Sequence, residues 1–181
     1  MVVATLASPE ARLAAAVAPS RSLLFYTLTA TLPIVVIAAV LLFSKPSRSA
    51  LLALAVLGAT TGFLGLGRLL YEMTLDIAGF PDYKLPIWSV LYLIIYVISS
   101  FTFLFFALAQ AAPGVYFRGF GTTPKSAYLE SLYLSLSNYI GVPPDPSIGL
   151  TAQTSRFLSV GQGALSLFIN LVIITKFVSS F

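Results

Sequence analysis

The residues best able to do chemistry in this chain lie together in Ser137-Asn138-Tyr139-Ile140-Gly141-Val142-Pro143-Pro144-Asp145-Pro146. Glycine and proline are helix breakers, so the stretch reads as an irregular turn with exposed backbone carbonyls. At membrane depth such backbone is tolerated only where it is buried in protein or lines water. A ring of carbonyls in that setting can replace the hydration shell of a cation. The candidate constriction is therefore Asn138, Tyr139, Ile140, Gly141 and Val142, contributing carbonyls or side chains. Asp145 reads equally as a carboxylate that concentrates cations at an outer mouth and as ordinary turn chemistry between prolines. Asn170, an amide inside the last apolar segment, is expected to face an aqueous cavity rather than lipid, because an unpaired amide in hydrocarbon is costly.

Other chemistries lack material. The chain has no cysteine and no histidine, which excludes disulfides, thiolate or imidazole metal ligands and a histidine base. Its six acidic residues are scattered, so no metal, no cofactor and no enzyme site is expected. The net charge of +4 is spread without a basic run, and nucleic acid has no footprint.

Composition fixes the setting. With 58% hydrophobic and 9% charged residues and a mean hydropathy of +0.95, the chain has too little polar surface to coat a soluble globule. It reads as a multi-pass integral protein of the cell membrane, with the lipid bilayer as its first partner. Long apolar runs predict an all-α fold of four membrane helices, at 23–43, 50–71, 87–110 and 154–177. Between the last two lies the run 124–136, opened by Thr123 and Pro124. At ~1.5 Å per residue it covers roughly 20 Å, whereas a spanning helix needs about 20 residues, so it is expected to enter the membrane and turn back.

The organisation follows. Residues 1–21, alanine-rich with Glu10, Arg12 and Arg21, read as an interfacial segment or disordered tail rather than a cleavable signal. Residues 22–86 form a two-helix hairpin and a connector. Pro33 kinks the first helix, and the short link 44–49 makes the pair antiparallel. Gly58, Gly62, Gly65 and Gly67 mark a packing face on the second helix. Arg68 and Glu72 are spaced to pair near its end, and the connector 73–85 is aqueous. In the third helix Trp88, Tyr92 and Tyr96 suit a headgroup-level belt, and Phe101, Phe103, Phe105 and Phe106 pack on lipid or on the first two helices. Residues 111–121 form a surface turret, and Gly161 and Gly163 allow the last helix to approach 124–136. The lysines and arginines divide evenly between the two sides, so the positive-inside rule sets no orientation.

Residues 127–181 resemble the pore module of the tetrameric potassium-channel-like superfamily. The likeness rests on Leu132-Tyr133-Leu134-Ser135-Leu136-Ser137 as pore helix, Ile140-Gly141-Val142 in the place of a filter, Asp145 after it and Arg156 opening the inner helix. It implies a pore module at 87–181, a homotetramer around one axis, passage of monovalent cations (potassium or sodium), and cytoplasmic termini. Pro143 stands where the pattern has a second filter glycine, so poor discrimination between the two ions is expected. A non-conducting structural or partner-binding subunit is the alternative, because Pro143 and Pro144 offer no N–H to tie a filter to its helix. A transporter would call for an internal repeat, and none is visible.

Overall fold

The computed structural model describes residues 21–44, 46–79 and 87–178, so the tail before Arg21 and the rest of the connector lie outside the described residues. Their order is α1 (Arg21–Phe43), α2 (Arg48–Gly79), α3 (Ile87–Ala111), β1 (Phe117–Arg118), α4 (Pro124–Ile140), β2 (Gly149–Leu150) and α5 (Gln153–Val178). Three stretches are long and apolar enough to cross a membrane: Arg48–Tyr71, Val90–Ala111 and Gln153–Ile173. α1 carries a shorter described apolar stretch, Thr27–Phe43, and runs through Pro33 without interruption. α2 extends to Gly79, past the expected start of the connector, because nothing between Glu72 and Ala78 breaks a helix.

α3 is the centre. Its spanning stretch is 61% buried, against 39% for that of α2 and 17% for that of α5, and α1, α2, α4 and α5 all pack on it. Of the four phenylalanines expected to meet lipid or the first two helices, Phe101, Phe103 and Phe106 meet those helices inside the protein, and Phe105 packs on Phe101 and Phe117. Phe103 joins Ile37 and Ala59. Phe106 joins Leu51 and Ala55 and meets the Tyr128 ring edge-on. Phe101 lies between Phe63 and Phe105, and Phe105 meets Phe117.

The glycines of α2 make this packing possible. A Cβ on Gly58 would lie 2.8 Å from the Phe103 ring, and one on Gly62 or Gly65 would overlap the Ser100 hydroxyl or the Tyr96 ring. One on Gly67 would meet nothing within 4 Å, so the seam is Gly58, Gly62 and Gly65 alone. Ser100 Oγ is buried against Gly62 without a hydrogen-bond partner among the described residues. Tyr96 uses the space over Gly65 differently. It is fully buried rather than at headgroup level, and its hydroxyl bonds Thr29 Oγ1 of α1. Tyr92 bonds Thr27 Oγ1 at 2.6 Å. Two tyrosines of α3 thus hold α1 in place.

At the opposite end of α3, Arg48 donates from Nε to Gln110 O at 2.5 Å and from Nη2 to Ala111 O at 2.7 Å. A cation on the last carbonyls of a helix satisfies orphan acceptors and complements the dipole. The turret after α3 is tied down as well. β1 pairs antiparallel with β2, Phe117 opposite Leu150 and Arg118 opposite Gly149. Thr151 N and Ser155 Oγ both donate to Tyr116 O, at 3.1 and 2.8 Å. Gly119 has φ 83°, and a Cβ there would strike the Ser147 carbonyl, so a side chain at 119 would push the two loops apart.

Gly62→Ala should lower stability in detergent by about 1–3 kcal/mol through overpacking. Gly67→Ala should be neutral or stabilising by up to about 1 kcal/mol from helix propensity. Thermal unfolding of the two variants side by side checks the seam, and equal shifts would refute it.

Candidate functional site

α4 begins where the sequence signals it. Thr123 is the N-cap, accepting from Ser126 N at 3.2 Å, and Pro124 occupies the first turn. Glu130 reaches back to accept from Gly121 N at 2.5 Å. The other end corrects the sequence reading: the helix continues through Ser137, Asn138, Tyr139 and Ile140 and stops only at Gly141. Gly141 adopts φ 72° and ψ 21°, a left-handed cap, and both its N–H and that of Val142 (3.0 Å) donate to Ser137 O. This is a glycine-closed helix terminus with Pro143 just beyond, as such termini commonly have. The physical reason is that the first breaker in the sequence is Gly141 itself. Asn138, a poor helix former on its own, has its side chain bonded elsewhere.

The carbonyls of Asn138, Tyr139 and Ile140 therefore belong to the last turn of a helix and do not form an extended row. They sit at its negative end, which favours a nearby cation. Ile140 and Val142 are 65% and 50% exposed, and Tyr133, Leu136, Phe157, Val160, Leu167, Phe168 and Leu171 are exposed too. α4 and α5 together present an apolar outer face.

Their inner faces are joined by polar contacts. Gln162, fully buried, donates from Nε2 to Ser135 O at 2.9 Å and to Ser135 Oγ at 2.7 Å. Ser135 Oγ in turn donates to Ile98 O of α3 at 2.8 Å. Gln162 Oε1 accepts from Asn138 Nδ2 at 3.2 Å, and Asn138 Oδ1 accepts from Ser159 Oγ at 2.9 Å. About two turns further along α5, Tyr139 OH donates to Asn170 Oδ1 at 3.1 Å. A continuous chain of hydrogen bonds thus runs from α3 through α4 to α5. Asn170 is half-buried against α4. Ser166 Oγ, between Gln162 and Asn170 along the helix, is buried with no hydrogen-bond partner.

The structure brings Asn138 and Tyr139 to this seam together with Asn170, while Ile140, Gly141, Val142 and Asp145 lie outside it. Asp145 is exposed: its Oδ1 accepts from Ser147 N at 2.7 Å and its carbonyl from Ile148 N at 2.8 Å. The Ser147 hydrogen bonds hold its carboxyl below the ordinary range. A lowered value means the turn is favoured above the unfolded pKa and loses that support only as pH falls through the folded one. Gly161 and Gly163 have open space where a Cβ would go, so the expected approach to α4 is made instead by Ser159 and Gln162. Among the described residues no three carboxylates gather to hold a metal.

Ser159 and Gln162 were not singled out from the sequence, although a signal exists. Ser155, Ser159, Gln162 and Ser166 recur at three- and four-residue steps, as do Ser131, Ser135 and Asn138. In an apolar helix that spacing marks one polar face. No protein-family profile, curated protein or solved structure matches this chain.

Gln162→Leu strands the Asn138 amide and should cost about 1–3 kcal/mol. Ser159→Ala should cost less. A double-mutant cycle between Asn138→Ala and Gln162→Ala should return a coupling of about 0.5 kcal/mol or more; additive effects would show that the seam is not a unit.

Proposed function

We propose that this chain is a subunit of a pore-loop cation channel, in which four copies surround one axis and monovalent cations pass the C-terminal end of α4 with little discrimination between potassium and sodium. α3 is the outer helix of the pore module, α4 the pore helix and α5 the inner helix, and α1 makes the fourth membrane crossing. The observation that carries the reading is the β1–β2 ribbon. It hydrogen-bonds the loop that leads into α4 to the loop that leads out of it, so the two ends of this segment lie side by side, as a re-entrant segment requires. The intervening residues 141–148, at about 3.3 Å each when extended, have the reach to climb back along a helix of this length.

Two further features support it. Among the described residues neither α4 nor α5 has an apolar partner on its outer face, which a ring of copies supplies. The α4 terminus presents carbonyls in a single turn, and one shallow site leaves an ion much of its water, so charge rather than size selects.

A second reading, a non-conducting subunit that keeps the module for assembly, is favoured by one observation: α4 remains helical through Ile140, so no consecutive carbonyl rings are formed.

Reconstituted bilayers under a potassium-against-sodium gradient distinguish the readings. The expected reversal potential lies near zero. Reversal near the potassium equilibrium potential would overturn weak selectivity, and silence under every condition, with efficient Val142→Cys cross-linking between copies, would establish the second reading.

A further inference from the structure

We propose that Arg118 and Arg156 form a binding site for the phosphate of an anionic phospholipid headgroup. Both side chains are exposed, and they bracket the same two-residue strand. Arg118 pairs with Gly149 across the ribbon and lies along it, its Nε 3.4 Å from where a Gly149 Cβ would be. Arg156 donates from Nε to Leu150 O at 3.0 Å. One guanidinium therefore sits over each residue of β2.

Nothing in the described protein neutralises them. Neither arginine forms an ion pair among the described residues, and neither does Lys125. The two carboxylates nearest in the chain are committed to backbone amides, Glu130 to Gly121 N and Asp145 to Ser147 N. The local field adds to the excess. Arg156 and Lys125 stand in the first turns of α5 and α4, and neither first turn contains an acid. A helix N-terminus already carries positive partial charge, and cations belong at the other end. Arg48 shows the ordinary arrangement in this same protein, placed on the carbonyls that close α3. Arg156 is placed the opposite way, a cost that an external anion removes.

The level in the membrane identifies the anion. The spanning stretches of α3 and α5 end at Ala111 and begin at Gln153, so the ribbon lies at the headgroup layer. Tyr116 and Phe120, both partly exposed, flank it, the Phe120 ring stacked at 4.4 Å on the buried Phe117, and a tyrosine at this level suits the interface. A phosphodiester beside β2 takes hydrogen bonds from the Arg118 guanidinium and from the Nη groups of Arg156, whose Nε is held by Leu150 O. The ribbon clamps, Thr151 Oγ1 on Val115 O at 2.6 Å and Ser155 Oγ on Tyr116 O, hold both arginine backbones in register.

The test uses the full chain in phosphatidylcholine nanodiscs, titrated with short-chain phosphatidylglycerol and read by native mass spectrometry. Wild-type protein should retain phosphatidylglycerol over phosphatidylcholine. The double variant Arg118→Gln/Arg156→Gln should lose roughly tenfold or more in apparent affinity, and each single variant about fivefold. Lys125→Gln, which removes a charge on the same side outside the bracket, should lose less than either. Arg156→Lys, which keeps the charge and gives up the Nη groups, should fall between wild type and Arg156→Gln. Thermal unfolding in phosphatidylcholine alone verifies that each variant is folded. Equal retention of the two lipids, equal loss in Lys125→Gln and the double variant, or full displacement of the lipid by millimolar inorganic phosphate would each overturn the assignment.

Discussion

The close approach of α2 to α3 is the contact on which the rest of the structure depends. In lipid no hydrophobic force drives helices together, so association rests on surface fit and hydrogen bonds. Gly58, Gly62 and Gly65 supply the fit, because each leaves room for a side chain of α3 where any Cβ would intrude. The consequence reaches α1: only with its ring over Gly65 can Tyr96 present its hydroxyl to Thr29. Three helices are thereby fixed by one seam, and α3 becomes the buried post on which α4 and α5 are hung.

α5 is attached by a different kind of contact. Little of it is buried, its apolar anchor being Ile169 with Leu158, Leu165 and Ile173, and Gln162, Asn138, Ser159 and the Tyr139–Asn170 pair add a polar attachment. Hydrogen bonds between membrane helices contribute on the order of 0.6–2 kcal/mol each, since the separated helices also find partners. Their larger effect is on uniqueness. Sliding or rotating α5 would leave several buried polar groups unmatched at once, and each such group costs about as much as a bond is worth or more.

The loops on either side of α4 complete the frame. The ribbon between β1 and β2, the Gly119 contact with Ser147 and the clamps to Tyr116 tie the entry and exit of α4 into one unit. Because these contacts fix both ends of the loop 141–148, the end of α4 is set by Gly141 and by the ribbon rather than by the prolines. Asp145 shapes the turn between them. The backbones of Arg118 and Arg156 are held on this frame, and the Arg156 side chain is held further by its bond to Leu150 O.

By itself the sequence determined the membrane setting, the helices and their approximate limits, the start of α4 at Thr123 and the glycine face of α2. Each of these depends on composition, periodicity or a local cap, and such signals survive without knowledge of partners. Tertiary structure alone decided what the last turn of α4 does and that residues 137–140 stay helical up to Gly141. Four residues before Gly141 that contain Ser137 and Asn138 are weak helix formers in isolation, and only the bonds from Asn138 to Gln162 and Ser159 make the helical form self-consistent. The same holds for the partners of Gln162, for Tyr96 lying in the core rather than at the headgroups, and for the pairing of Phe117–Arg118 with Gly149–Leu150. Two-residue strands have no periodicity to read, and a buried glutamine is marked only by the neighbours that satisfy it. Those neighbours are brought together by the glycine seam, at positions far apart in the chain.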